Sequence, residues 1–189
     1  MWQVGEGGSS LVGRGAELTV YPFSFAEFVE SKGLKFQRTT TISPSVQAIF
    51  NPLRQEFCTR GGYPAVVFAN SQQEKITELG KILTRLIERD IAFRLTKQEV
   101  PVFEKVLQYL VRNTCNLLKY ESVAQGTGIS KKTLEKYLYI LEKSQIIHYV
   151  YPFFQDKTKE LTTHPKLYLG DLGLMTFLTK NYDLANDGR

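Results

Sequence analysis

The stretch YESVAQGTGISKKTLEKYLYIL, Tyr120 to Leu141, decides the fold class. Two short amphipathic helices joined by a tight turn need a small residue where their backbones approach, a glycine where the turn takes positive φ, and apolar side chains at set offsets. With Tyr120 as the first position, Ala124 is the small residue and Gly128 the turn glycine. Val123, Ile129, Leu134 and Tyr137 fill the apolar positions, and Thr127 stands where a further apolar residue is usual. Ser130 reads as the N-cap of the second helix. That helix is expected to bury Leu134, Leu138 and Leu141 and to turn Lys131, Lys132, Thr133, Glu135, Lys136 and Tyr139 outward.

Working outward, the run Ile146 to Tyr151, a turn-like polar stretch Asp156 to Glu160 and a second run Lys166 to Leu169 predict two strands that would form a wing. Upstream, Ser24 with Glu27 has the capping-box spacing ahead of a helix over about 25–31 that stops near Gly33. Residues 35–44 read as an irregular connection. Asn51-Pro52 signals the start of a second helix, which Gly61-Gly62-Tyr63-Pro64 ends. A single apolar stripe (Ile76, Leu79, Leu83, Leu86, Ile87, Ile91) predicts a long helix over Gln73–Arg94, and Val102 to Val111 predict the next.

The expected fold is mainly α, a helical lid-like bundle followed by a winged helix-turn-helix, with a few short strands. The expected division is 1–22, 23–95, 96–169 and 170–189.

The chain has 189 residues, 42% of them apolar and 23% charged, with 24 Lys and Arg against 19 Asp and Glu and hence a formal charge of +5. These proportions exclude fibrous, coiled-coil and disordered classes, while the charge permits an anionic partner without demanding one. Two cysteines without a CxxC spacing exclude a disulfide framework and a zinc cluster, so a reducing cytoplasm is expected. No apolar run long enough to span a membrane and no signal peptide is read. Cys58 and Cys115 read as inert core thiols on helical apolar faces, and His148 and His164 as structural histidines. The aromatic group Tyr21, Phe23, Phe25 and Phe28 fits core packing better than base stacking. Arg89-Asp90 reads as a structural pair, and Asp171 as the N-cap of a short helix from Leu172.

Leu11-Val12-Gly13-Arg14, Tyr21 to Phe28, Gly61 to Pro64, Arg89-Asp90-Ile91, the helix-turn-helix and Leu167 to Leu174 follow in an order that resembles a prokaryotic AAA-type ATPase family, a P-loop module joined to a C-terminal domain of unknown function. By that resemblance residues 1–22 would be a remnant of the ATPase core, 23–95 the lid, and 170–189 the start of a truncated C-terminal domain. Ser9 and Ser10 would belong to a sensor loop, and Arg14 would be an arginine finger, with a solvated loop residue as the plain alternative. ATP and Mg are implied for such a family. Gly5 to Ser10 lacks the lysine of G-x-x-x-x-G-K-[ST], so this chain alone is expected to use no cofactor and catalyse nothing.

Three positive charges and one negative on the outward helix face, Lys131, Lys132, Lys136 and Glu135, would suit docking on duplex DNA with Thr133 and Tyr139 beside them. A protein-interaction or spacer role, with a neighbouring ATPase module or an oligomer as partner, stays open. So do a free-standing winged-helix DNA-binding regulator and a face with no partner.

Overall fold

A computed structural model describes residues 19–35, 43–91, 94–154 and 163–182, without the side chains of Arg89 and Asp90. The chain is mainly helical with a small two-stranded sheet.

Helix α1 (Phe25–Ser31) starts with the predicted capping box: the Ser24 amide donates to the Glu27 carboxylate at 2.8 Å and the Glu27 amide to Ser24 Oγ at 3.4 Å. So short a helix does not persist alone in water. It is held by burying Phe28 and Val29 against Val67, with Phe25, Phe28 and Phe57 packed at ring separations of 5.4–6.3 Å. The aromatic group is thus core, except that Tyr21 stays exposed.

Helix α2 runs over Pro44–Arg60, starting eight residues earlier than Asn51-Pro52 signals. Ser43 caps it and Pro44 takes its first position, an arrangement as favourable as Asn51-Pro52 would have offered. Pro52 lies inside the helix and cannot donate to the carbonyl of Ala48; Ala48 is exposed, so water can take that acceptor. The helix ends at Gly61, whose φ of 75° is the left-handed region expected of a terminating glycine. Pro64 opens the single turn α3 (Pro64–Val67).

Ser71 caps α4 (Gln72–Arg85), and from Leu86 to Ile91 the chain widens into a π-helical stretch. The predicted long stripe is therefore two segments with different windings. Leu79 packs in a small cluster with Val66 and Leu174, Ile91 is fully buried in the main core, and Leu83 and Leu86 touch both. A change of winding re-aims a stripe that 3.6-residue periodicity treats as straight.

The main core is built from α5 (Glu99–Arg112), α6 (Tyr120–Thr127), α7 (Lys131–Lys143) and the strands β1 (Ile147–Val150) and β2 (Lys166–Leu169). Gly128 has φ 75° in the left-handed region, and the Ser130 hydroxyl accepts the Thr133 amide at 3.1 Å, as the sequence predicts for turn and cap. Leu134, Leu138 and Leu141 are buried together with Tyr137 and Ile140. Thr127 is only 4% exposed; its hydroxyl donates to the Val123 carbonyl at 2.6 Å, which lets a polar residue occupy an apolar position. Strands β1 and β2 pair antiparallel with Ile147 opposite Leu169 and Val150 opposite Lys166. Leu117 bridges Lys166 on the other edge of β2.

Cys115 is exposed in the turn after α5, not on an apolar helical face, and takes a φ of 68° while its amide donates to the Leu167 carbonyl. Helix α8 (Leu172–Thr179) returns from β2 to pack on α2, α4 and α5. Gly173 lies so close to the Arg60 carbonyl that any Cβ would overlap it. No helix among the described residues is long and apolar enough to cross a membrane.

Candidate functional site

Ser9, Ser10 and Arg14, the residues singled out for a sensor loop and an arginine finger, lie outside the described residues, as do the side chains of Arg89 and Asp90. Among the described residues no group of three or more His, Cys, Asp or Glu is placed to hold a metal ion.

Helix α7 brings the remaining candidates onto one face. Lys131, Lys132, Lys136 and Tyr139 are exposed, whereas Thr133 is half-buried with its hydroxyl hydrogen-bonded to Ser130 at 2.8 Å. At about 100° per residue, Lys131 and Lys136 mark the two edges of the exposed arc and Lys132, Glu135, Tyr139, Glu142 and Lys143 fill it. Both edges are tied to neighbouring helices. Lys131 Nζ lies 3.4 Å from Glu121 of α6 and 6.0 Å from the centre of the Tyr120 ring. Lys136 Nζ lies 2.6 Å from Glu99 of α5, whose other carboxylate oxygen accepts the Thr96 amide at 2.8 Å. The Lys136 ammonium and that amide hold the Glu99 carboxyl down to about 2, far below the ordinary glutamate range. Lys143 sits over the Tyr139 ring at 5.7 Å. Glu99 and Glu121 escape a sequence reading because Glu99 is 37 residues from its lysine, and nothing local marks either as a partner.

Burial raises the phenols of Tyr120 and Tyr149 above their ordinary value, while Val150, Tyr151 and Phe153 are each 51–85% exposed. His148 faces Tyr168 across the ladder and lies 6.2 Å from the Tyr21 ring, while His164 is exposed.

A second arrangement joins the Gly61–Pro64 turn to the Leu167–Leu174 segment. Asp171 caps α8 as predicted, accepting the Leu174 amide at 3.1 Å, and its other oxygen accepts the Gly62 amide at 2.8 Å. The Thr176 hydroxyl donates to the carbonyls of Thr59 and Gly173. Gly61 leaves no room for a Cβ against Asp171, nor Gly62 against the Phe23 carbonyl. Burial pushes the Asp171 carboxyl up despite its amide donors, and burial with the Asp171 charge raises the Tyr63 phenol. The carboxylate forms part of the wall of a cleft of about 700 Å³ between Thr19–Phe25 and Leu169–Leu172, but both its oxygens are already engaged. Its chemistry is that of a structural tie.

An uncharacterized protein of Haemophilus influenzae is 27% identical over 175 residues, 90% of this chain and 41% of that protein. Uncharacterized proteins of Mycobacterium bovis and Mycobacterium tuberculosis are each 23% identical over 116 residues, covering 61% of this chain and 26% of theirs. The chain thus spans less than half the length of these curated relatives. No solved structure matches. A family model described as a domain of unknown function (DUF8612) matches residues 51–184, nearly all of the helical and stranded core described above, and the chain belongs to that family.

Proposed function

We propose that this chain is the lid and winged-helix part of an AAA-type ATP-binding protein and that its own work is to hold duplex DNA on the exposed face of α7 rather than to carry out chemistry. The observation that carries the reading is the exposure of Lys131, Lys132, Lys136 and Tyr139 on one helix, locked in place by its buried side and the Gly128 turn. The antiparallel β1–β2 pair that follows α7, with Leu117 bridging β2, supports reading it as a wing. The order of motifs supports the ATPase-family part of the reading, and the two free thiols accord with a reducing cytoplasm.

Fluorescence anisotropy with a random-sequence duplex tests the DNA role. Affinity should fall with salt, and Lys132→Ala, which removes a lysine standing outside the two ion pairs, should weaken binding on every sequence and lower the salt slope by about one. Unchanged binding by that variant would remove α7 as the docking face. Calorimetry with ATP should give no heat of binding on this chain, and micromolar affinity would overturn the non-catalytic reading.

A second reading, a protein partner, is favoured by the two ion pairs that temper the basic face and by the exposure of Val150, Tyr151 and Phe153. It expects no DNA binding and a defined oligomer by light scattering.

A further inference from the structure

The exposed arc of α7 carries four lysines, Lys131, Lys132, Lys136 and Lys143, against Glu135 and Glu142. Adding Glu99 and Glu121, which reach in from α5 and α6, brings the arc to charge balance. Their placement is selective, for each meets one of the two edge lysines and leaves Lys132 between them. We infer that Glu99 and Glu121 act as internal competitors for DNA phosphate, holding the edge lysines of α7 in ion pairs that docking must exchange for phosphate contacts. This rests on the DNA reading of α7 and adds to it a restraint on affinity.

The two carboxylates are built differently. Glu99 is fixed on both oxygens, one by Lys136 and one by the Thr96 amide and hydroxyl, so its ammonium partner meets a preorganised anion. Glu121 is 70% exposed and pairs at the longer distance of 3.4 Å. Exposed pairs of this kind are weak, which is what an exchangeable contact requires. A phosphate approaching either edge gains a lysine only by displacing a carboxylate of like charge to itself. Removing that carboxylate's charge frees the lysine and removes a repulsion in one step.

The test is anisotropy with a random duplex across a salt series, using Glu99→Gln, Glu121→Gln, the double variant, and Glu78→Gln as a control. Glu78 pairs with Lys81 on α4, so its substitution makes the same change in net charge away from α7. A glutamine in place of Glu99 keeps an oxygen for the Thr96 amide, and one in place of Glu121 keeps an oxygen for its own first-turn amide, so both variants remove charge while leaving a backbone acceptor. Each of the two α7-facing changes should tighten binding by about two- to fivefold at low salt, with the double variant tighter still and its salt slope steeper. The control should change binding little, because screening confines the effect of a distant exposed charge. If the wild-type chain binds and neither Glu99→Gln nor Glu121→Gln tightens it, or the control tightens it equally, the competitor role is wrong and the docking face stands. If no form binds duplex, the DNA reading falls and the inference falls with it.

Discussion

Asp171 and Glu99 each accept hydrogen bonds on both carboxylate oxygens, yet the one lies buried between α8 and the Gly61-Gly62 turn and the other lies at the edge of an exposed face. Burial raises the Asp171 carboxyl, while an ammonium and a backbone amide lower that of Glu99. The same side-chain chemistry therefore makes a largely buried tie in one place and a contact that another anion can replace in the other. Partner count does not separate structure from function here; solvent access does.

The largest expected effect of breaking this contrast lies at the buried end. In Asp171→Asn an amide nitrogen or a single oxygen must meet both the Gly62 and Leu174 N–H groups, so one buried donor loses its acceptor; thermal or denaturant unfolding should show a loss of about 1–3 kcal/mol. Next is Gly128→Ala, which forces a Cβ into the left-handed region at the turn between α6 and α7, in open space, at about 1–2 kcal/mol. Smallest is Lys132→Ala, whose effect on stability should stay within about 0.5 kcal/mol while its effect on DNA binding does not.

Acid titration sharpens the same contrast because the two shifts carry opposite signs. Asp171 holds its proton more tightly folded than unfolded, so its contribution is full below the unfolded value and is lost as pH rises through the raised folded value. The gap in melting temperature between wild type and Asp171→Asn should therefore be widest at the acid end. Glu99 contributes above its ordinary value of 4.5 and loses that contribution as pH falls toward about 2, so the gap between wild type and Glu99→Gln should close at the acid end. Parallel gaps in both series would contradict the assigned environments.

Local signals carry much of this architecture. The capping box at Ser24 and Glu27, the turn at Gly128, the cap at Ser130 and the buried leucines of α7 are all settled within a few residues, so their spacing suffices. The start of α2 is misplaced from sequence because Ser43-Pro44 and Asn51-Pro52 are rival start signals of similar strength, and a proline at the first position of one does not stop a helix that began at the other. The π-helical stretch breaks a stripe that looks continuous, since periodicity assumes one winding. The exposed turn position of Cys115 is set by its backbone bond to Leu167, far along the chain. At the candidate site the face of α7 is legible and its restraint is not. Glu99 meets Lys136 only because α5 and α7 share a core, and Asp171 meets Gly62 across 109 residues. The cap is visible in the sequence; its second bond is not.

The docking claim for α7 is tested most directly by amide NMR of the 15N-labelled chain titrated with a short random duplex at low salt. The account predicts shifts concentrated from Lys131 to Tyr139, fading as salt is raised. Shifts centred on another element, or none at all, would contradict it.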